Sequence, residues 1–457
     1  MATYTIKSKN LAPASFKGVT RWCIDEPTLN QEVDDQILEE FGLTVSGWIL
    51  VEDPIKIQPV VLIENSIISL KFNRERPDVL VKILGINSEN YSDVICGFST
   101  SLSIDAPYFQ VGVIFGGKFI ALSEFHIEGS LKVLHGRDGW LFLDNDSNQS
   151  VEQYTGKIKL SRYERSAWKN YLNHQDQLKK TLGIHFCMLI APSKEMVYSD
   201  YYPYSRARKT ALDQLIDLAP LDFDLIIPIK TLRSSPKRSY RVCDTHWSHY
   251  GAMLASLDVV SCQKSDKEKI AKLFSSDTYR TRYVTGDLGN KVYPNQKHNE
   301  EFLSSFNHQH FVVFDNQLPN FGRIRVIYYK EAIYEDVLMV LGSSSSYTMF
   351  NYLSRVYKII VFFHCAGNID PEFIKSVNPN YVVTQSNARF IVKSPNANED
   401  FRSYIKEKID SLKCDEVPNK ILRADIINSA GEARLEKIVG YVNSLYEDCT
   451  TKKRCKV

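Results

Sequence analysis

An acid, an imidazole and a run of serines stand out in this sequence as residues that could catalyse acyl transfer. The segment CDTHWSHY (243–250) places Asp244 two residues before His246, and VLMVLGSSSSYTM (337–349) contains four consecutive serines. A carboxylate beside a histidine can hold the imidazole Nδ1–H and leave Nε2 free to take a proton from a serine hydroxyl. Serine needs such a base because its hydroxyl is a poor nucleophile at neutral pH. The residue types and spacing therefore predict a Ser-His-Asp triad.

Ser344 is the predicted nucleophile within the serine run. A continuous apolar run ends at Gly342, and apolar residues recur at helical spacing after the serines, so the run lies in a turn between a strand and a helix. Ligands bind at the carboxyl ends of parallel strands, and a helix N-terminus there can stabilise an anion. Gly342 permits the turn and Ser344 lies at its apex, while Ser345 or Ser346 is placed to cap the helix. The alternative is that all four serines are turn and capping residues.

The Asp-x-His segment also has a purely structural interpretation. Asp244 can cap the helix predicted to follow it, with His246 satisfied inside the fold. His249 is a weaker candidate base, because no acidic residue lies close to it in the sequence. The ten histidines show no H-x-x-x-H or H-E-x-x-H spacing, so the sequence predicts no metal site.

Composition limits the kinds of protein that can carry these residues. A chain of 457 residues with 44% hydrophobic content can bury large cores and predicts more than one domain. The net charge of +2 is not concentrated in a basic arm, which argues against a nucleic-acid partner. The nine cysteines are scattered and odd in number, which favours reduced thiols. No apolar leader segment and no run approaching about 18 apolar residues occurs, so we expect no transmembrane segment and a cytoplasmic location.

The pattern of apolar runs predicts three regions that position the candidate residues. Residues 1–132 carry short alternating runs broken by Gly, Pro and Asn, which are typical of an antiparallel β-sandwich. In residues 133–395, apolar runs of strand length alternate with polar helical stretches, which predicts an α/β unit with a parallel sheet and helices on both faces. Residues 396–457 are predicted to be a helical C-terminal segment.

Six segments of the α/β region, in order, resemble the alginate O-acetyltransferase family, whose members are SGNH-hydrolase-like proteins with Asp-x-His-Trp before a Gly-x-Ser turn. The segments are HGRDGWLFLD (135–144), IAPSKEMVYSDYYP (190–203), DTHWSHYGA (244–252), TGDLG (285–289), LGSSSSY (341–347) and PNYVVTQSNARF (379–390). The resemblance implies an SGNH or flavodoxin-like sheet, with Ser344 as nucleophile, His246 as base and Asp244 orienting the histidine. It also implies substrate-binding roles for the residues in the matching pocket positions, Lys194, Tyr198 and Arg389.

Some features depart from the family pattern. The family more often has Thr or Asp at the position of Ser343 and Glu at that of Ala388, so the pocket contacts can differ from those for alginate. The family usually has a signal or membrane anchor and no β-domain in front, which is the reverse of what this sequence shows. The leading region resembles β-rich modules that accompany bacterial surface-polysaccharide glycosyltransferases. It is therefore predicted to be an accessory domain that binds carbohydrate or a partner.

These observations together predict an O-acetyltransferase that acetylates a capsular or lipopolysaccharide glycan through an acetyl-serine intermediate. A cytoplasmic location, with peripheral association at the inner membrane as an option, implies acetyl-CoA as donor and capsule or lipopolysaccharide assembly enzymes as partners. The N–H groups of Ser344 and Ser345 are the predicted oxyanion hole. Trp247 is predicted to be a sugar-stacking face, or else a core residue at the start of a helix. The corresponding alternatives for Lys194, Tyr198 and Arg389 are a solvated lysine, a packed tyrosine and a solvated arginine. Two alternatives remain open: a carbohydrate acetylesterase with the same triad, and a non-catalytic glycan-binding scaffold.

Overall fold

The computed structural model describes residues 3–52, 57–85, 95–129, 133–264, 266–413 and 416–454. The chain forms two compact units. The first comprises Met1–Val133 and Thr285–Lys297, and the second comprises Leu134–Val284 and His298–Val457. The TGDLG segment, expected within the α/β region, thus belongs to the first unit. The predicted C-terminal segment belongs to the second unit. The residues of that segment at 414–415 and 455–457 lie outside the described residues.

The first unit contains two antiparallel sheets, of six strands in the order β3-β1-β10-β9-β5-β6 and of four strands in the order β2-β4-β8-β7. Its strands are β1 Thr3–Asn10, β2 Val19–Glu26, β3 Gln31–Asp34, β4 Leu43–Val51, β5 Ile57–Ile63, β6 Ser66–Ser69, β7 Arg74–Glu75, β8 Ile95–Leu102, β9 Tyr108–Phe115 and β10 Lys118–Gly129, with helices α1 Asp35–Phe41 and α2 Pro77–Val79. Alternate residues of both sheets, such as Tyr4 and Ile6 of β1 and Val45 and Ile49 of β4, are buried in one shared core. This is the sandwich-like architecture predicted from the alternating runs.

The second unit is built on an eight-stranded sheet in the order β14-β13-β21-β19-β20-β18-β17-β22. The strands of this unit are β11 Val133–His135, β12 Leu141–Leu143, β13 His185–Ala191, β14 Leu225–Ile226, β15 Tyr279–Val284, β16 His298–Leu303, β17 Val312–Asp315, β18 Ile324–Tyr328, β19 Tyr334–Gly342, β20 Tyr357–His364, β21 Tyr381–Asn387 and β22 Ile421–Leu422. Five neighbouring strands of this sheet, β14, β13, β21, β19 and β20, pair in parallel, as the apolar runs predict.

The other side of this sheet is antiparallel, which the sequence analysis did not predict. Strand β18 pairs antiparallel with both β20 and β17, and β17 pairs antiparallel with β22. Only residues 316–323 connect β17 to β18. A connection this short makes a hairpin, because a parallel crossover needs about a dozen residues.

The remaining described α-helices connect the strands or follow the last one, and all but one of them lie in the second unit. They are α3 Ser150–Tyr154, α4 Arg162–Leu182, α5 Lys194–Val197, α6 Ala211–Leu218, α7 Ile229–Arg233, α8 His249–Gln263, α9 Lys267–Ser275, α10 Gly286–Gly289 (in the part that belongs to the first unit), α11 Ser346–Val356, α12 Pro371–Val377, α13 Phe401–Ser411, α14 Ala424–Ala430 and α15 Ala433–Arg454. Within the described ranges no helix combines the length and apolar character needed to cross a membrane.

Candidate active site

Ser344 lies in the turn between β19 and α11, at the carboxyl edge of the parallel strands. Gln385 of the neighbouring strand β21 holds this turn, because its Oε1 accepts from Ser343 N at 2.7 Å, from Ser343 Oγ at 2.9 Å and from Ser346 Oγ at 3.0 Å. A side chain at Gly342 would place its Cβ 2.5 Å from Ser346 Oγ. The serines flanking Ser344 are therefore tied to the sheet. The cap predicted for Ser345 is not formed, since its side chain makes no capping bond to the helix.

Asp244 and His246 lie in the segment that precedes α8, and the structure brings both together with Ser344. His246 Nε2 is 3.1 Å from Ser344 Oγ, and His246 Nδ1 is 2.8 Å from Asp244 Oδ1. The His246 backbone N–H also donates to Asp244 Oδ1 at 2.8 Å. With the proton on Nδ1, the imidazole donates to the carboxylate and presents Nε2 as an acceptor to the serine hydroxyl. The three residues predicted from spacing thus form one continuous hydrogen-bonded chain.

The environment of Asp244 keeps its carboxylate ionised. Asp244 is only 5% exposed, and Arg241 Nη1 lies 3.2 Å from its Oδ2. Burial by itself would raise the pKa of the Asp244 carboxyl. The hydrogen bonds from His246 and the positive charges of His246 and Arg241 outweigh burial, so the pKa is well below its usual value. Arg241 was not among the residues singled out in the sequence, because nothing in its local pattern marks it as the partner of Asp244.

Lys194 is buried and holds the backbone of the segment that carries Asp244. Its Nζ donates to the carbonyls of Arg241 at 3.2 Å, Val242 at 2.9 Å and Asp244 at 2.7 Å. The ammonium also lies 5.0 Å from the ring centroid of Phe142. Lys194 was expected to contact substrate. Because its charged group is directed to these three carbonyls and the residue is 3% exposed, its position is that of a support for the triad.

Tyr198 and Trp247, for which substrate contacts were predicted, also make contacts within the fold. The Tyr198 hydroxyl accepts from the Ser239 N–H at 2.8 Å, and its ring stacks on Trp140 with centroids 4.4 Å apart. Trp247 is 1% exposed and forms an isolated β-bridge with Tyr240. The Trp247 ring is thus packed almost entirely inside the fold, and a role in binding a sugar stays a prediction.

A cavity adjoins the triad within the second unit. Its lining includes His246, Trp247, Ser345, Asn387 and Arg389. Its volume is about 560 Å³ when the solvent-filled space at its opening is included. Of the residues predicted to bind substrate, Lys194, Trp247 and Arg389 line this cavity. Arg389 lies in a short 3-10 turn directly after β21, with its Nε 3.7 Å from Asp146 Oδ2.

Glu195 and Ser150 also line this cavity and were not found from the sequence. Burial raises the pKa of the Glu195 carboxyl above its usual value. In the described part of the chain, neither Ser150 Oγ nor the Trp247 indole Nε1 has a hydrogen-bond partner, although both atoms are buried. Unsatisfied buried polar atoms in a cavity wall are what a polar ligand would pair with.

The backbone around Ser344 offers donors for an oxyanion. The Ser345 N–H points to Ser343 Oγ at a long 3.4 Å, so this interaction is weak and readily exchanged. Asn387, which the sequence analysis missed, accepts from Ser345 Oγ at 2.9 Å through its Oδ1. Its Oδ1 also accepts from Gln385 Nε2 at 3.1 Å, which leaves the Asn387 amide N–H₂ as the free end of that side chain. The signal that the sequence offered for Asn387 was its place just after a predicted parallel strand. That this strand lies next to β19 is seen in the structure.

Comparison with known proteins identifies the part of the chain that contains the base and its acid. Residues 133–312 match the family described as SGNH hydrolase-like domain, acetyltransferase AlgX. This segment is similar to SGNH hydrolase-like domains. The family resemblance inferred from sequence motifs is thereby confirmed for this segment, which holds Asp244 and His246. Ser344 lies beyond the matched residues.

Among curated proteins, this chain is similar to the probable alginate O-acetylase AlgJ of Pseudomonas fluorescens. The two are 26% identical over 178 residues, which are 35% of this chain and 41% of that protein. The match thus spans about two fifths of the relative's length.

Two solved structures are also similar. PatB1 of Bacillus cereus gives a TM-score of 0.43 at 15% identity, covering 57% of this chain and 97% of PatB1. The O-acetyltransferase domain of AlgJ from Pseudomonas putida gives 0.35 at 15% identity, covering 61% and 99%.

Proposed function

We propose that this protein is an O-acetyltransferase that acetylates hydroxyl groups of a bacterial surface polysaccharide. The observation that carries the proposal is the hydrogen-bonded chain from Ser344 Oγ through His246 to Asp244, with contacts of 3.1 and 2.8 Å. Such a chain is the arrangement that activates a serine for acyl transfer. The similarity of residues 133–312 to acetyltransferases supports an acetyl group as the acyl unit.

The reaction is a double displacement. His246 Nε2 takes the proton of Ser344 as its Oγ attacks the donor carbonyl, and the imidazolium then returns the proton to the departing group. The acetyl ester on Ser344 is next attacked by a sugar hydroxyl, whose proton passes to His246 and finally to Ser344 Oγ. Asp244 stabilises the imidazolium at both stages, which suits its strongly favoured ionised state.

The tetrahedral intermediates need donors at the oxyanion. We assign the N–H groups of Ser344 and Ser345 to this role and add the amide N–H₂ of Asn387, whose Oδ1 is held by Ser345 Oγ at 2.9 Å. The unpaired Ser150 hydroxyl and Trp247 indole N–H, together with Arg389, supply polar contacts in the adjoining cavity for the sugar oxygens or the acetyl donor.

For the donor and acceptor we propose acetyl-CoA and a capsular or lipopolysaccharide glycan, with the reaction in the cytoplasm before export and with assembly enzymes as partners. Leaving as a thiolate or thiol, coenzyme A is a good departing group for the first displacement. The β-rich first unit is proposed to bind carbohydrate or a partner.

Hydrolysis of a chromogenic acetyl ester, with and without acceptor glycan, tests the proposal. We expect Ser344→Ala to lower kcat by about 10⁶-fold while the folded state is kept, because a triad without its nucleophile retains only residual catalysis. Mass spectrometry should find the acetyl group on Ser344 and, with acceptor present, on the sugar. If Ser343→Ala or Ser345→Ala is the inactive variant, the nucleophile has been misassigned. Acetyl that goes only to water would make the protein an esterase, and absence of any acylated serine would leave a glycan-binding scaffold.

A further inference from the structure

A second depression in the second unit is lined by positive charge and aromatic rings. Arg280 and Arg282 of β15 and His310 line it together with Phe302 and Phe306. Its volume is about 360 Å³, which lies in the size range of small-ligand pockets. No Asp or Glu is among the described residues that line it. The depression therefore carries charge of one sign.

The two arginines are not neutralised within the part of the chain that the structure describes. The strand partner of Arg282 is Glu300, the nearest acid in the sheet register. The Glu300 carboxylate is engaged elsewhere, by Arg238 Nη2 at 2.7 Å and by the Val242 N–H at 2.8 Å. Among the described residues no carboxylate lies within ion-pair distance of Arg280 or Arg282. Both side chains are exposed and are thus open to an external anion.

Phe302 connects this depression to the triad. The Arg282 guanidinium carbon lies 5.3 Å from the centroid of its ring, and that of Arg241 lies 4.9 Å from the same centroid. Arg241 is the residue that contacts Asp244 at 3.2 Å. Arg241 therefore links the Phe302 ring of the depression to the triad acid.

His249 reports the electrostatic character of the pocket wall. Its ring lies 5.2 Å from that of Phe302, and its buried Nδ1 has no partner among the described residues. Burial lowers the pKa of His249 to about 3, and the positive charges of Arg241, His308 and Arg282 act in the same direction. A histidine kept neutral mainly by burial, with its cationic neighbours acting in the same direction, is consistent with a region of positive potential.

We propose that this depression is a subsite that binds the anionic group of a substrate, a carboxylate or phosphate, with Phe302 and Phe306 packing against the ring that bears it. Guanidinium groups bind both anions through paired N–H donors, and aromatic rings pack on sugar and nucleobase faces. Two sources have this chemistry: an acidic sugar of the acceptor glycan, and the phosphates of a coenzyme A donor. Anion binding stands by itself, whereas its use in acetyl transfer rests on the proposed function.

Direct binding to the full-length Ser344→Ala variant tests the subsite without turnover. The probes for titration calorimetry are coenzyme A, tri-galacturonate and neutral maltotriose, each at low and high salt. We expect at least one anionic probe to bind, with an affinity that falls as salt rises, and maltotriose to bind at least about tenfold more weakly. Arg280→Gln and Arg282→Gln should each weaken the anionic probe by about fivefold and more in combination. Arg165→Gln, which changes an exposed arginine of α4 outside the depression, is the matched control and should bind as the parent does.

The outcomes separate the two sources and the two proposals. Binding of coenzyme A alone assigns the subsite to the donor, and binding of tri-galacturonate alone assigns it to the acceptor. The subsite is refuted if neither anion binds, or if the Arg280→Gln/Arg282→Gln protein binds as tightly as the control. Binding is measured on Ser344→Ala, which cannot turn over, and acetyl transfer is measured on the wild-type protein. If the variant binds the anion but the wild type transfers no acetyl group, the proposed function is refuted and the subsite is retained.

Discussion

Replacing Lys194 by Met should weaken the triad without removing any of its members. The Lys194 ammonium donates to three backbone carbonyls of the segment that leads to His246, at 3.2, 2.9 and 2.7 Å. The Val242 carbonyl also accepts from the Leu141 N–H at 3.1 Å and so keeps a partner. In the variant, the carbonyls of Arg241 and Asp244 lose the hydrogen bond that Lys194 donates to each of them.

The expected magnitude follows from those two carbonyls. A buried carbonyl left without a donor costs about 1–3 kcal/mol, so two cost about 2–6 kcal/mol in the free energy of unfolding. The Met side chain is uncharged, so the variant avoids the cost of burying the lysine ammonium, and this offsets part of the loss. The net destabilisation should be about 2–4 kcal/mol. A displacement of about 1 Å in the Asp244–His246 segment should lower kcat by about 100-fold. KM for a small acetyl ester should stay within about twofold, since the ammonium is directed to the backbone.

The assay is urea unfolding together with steady-state hydrolysis of a chromogenic acetyl ester, measured where the variant is fully folded. Lys179→Met is the matched control, because Lys179 is a half-exposed lysine of the same unit, paired with Asp224 at 2.9 Å. It should change stability by less than about 1 kcal/mol and leave kcat unaltered. A folded Lys194→Met protein with normal kcat refutes the positioning role. A rise in KM at unchanged kcat would instead return Lys194 to the substrate contact first predicted from the sequence.

Three further outcomes are expected. Asp244→Asn should lower kcat by about 10³–10⁴-fold, less than Ser344→Ala, because it disturbs the imidazole tautomer but leaves the nucleophile, as ester kinetics will measure. Gly251→Ala should lower the free energy of unfolding by about 1–3 kcal/mol, because its Cβ would lie 2.0 Å from the Ser239 carbonyl oxygen, whereas Gly440→Ala in the open middle of α15 should not destabilise. The protein should lose stability as pH falls from about 6.5 to 4: burial lowers the pKa of His308 to about 4, so the unfolded chain binds the proton first. In His308→Gln, the slope of unfolding free energy against pH in this window should be smaller by about 1.4 kcal/mol per unit.

Local pattern was enough to predict which three residues form the hydrogen-bonded chain and where the main sheet lies. An apolar run, a glycine and a helical repeat identify the turn at Ser344 because each is a property of neighbouring residues. The same holds for Asp244 and His246, which are two positions apart. The alternation of strands and helices likewise predicted the parallel part of the sheet, which consists of β14, β13, β21, β19 and β20.

What the sequence did not predict depends on contacts between distant segments. Arg241 meets Asp244 only through the shape of its loop, and Asn387 meets Ser345 only because β19 and β21 are neighbours. The inclusion of residues 285–297 in the first unit is equally non-local, since the chain leaves β15 and returns to β16 around it. A boundary drawn along the sequence cannot represent such an insertion.

Several residues on which the family resemblance rests make contacts that hold the fold around the triad. Lys194 binds the carbonyls beside Asp244, Tyr198 binds the Ser239 backbone, and Trp247 is buried. Ser344 and His246 are 98 positions apart in sequence, yet their reacting atoms must stay about 3 Å apart, so many contacts serve only to hold the two segments in place. Substrate choice must then be made by side chains outside these supports. Arg389 in the cavity and the arginines of β15 meet that condition, and changing them should alter which glycan or donor is used while the acetyl ester on Ser344 still forms.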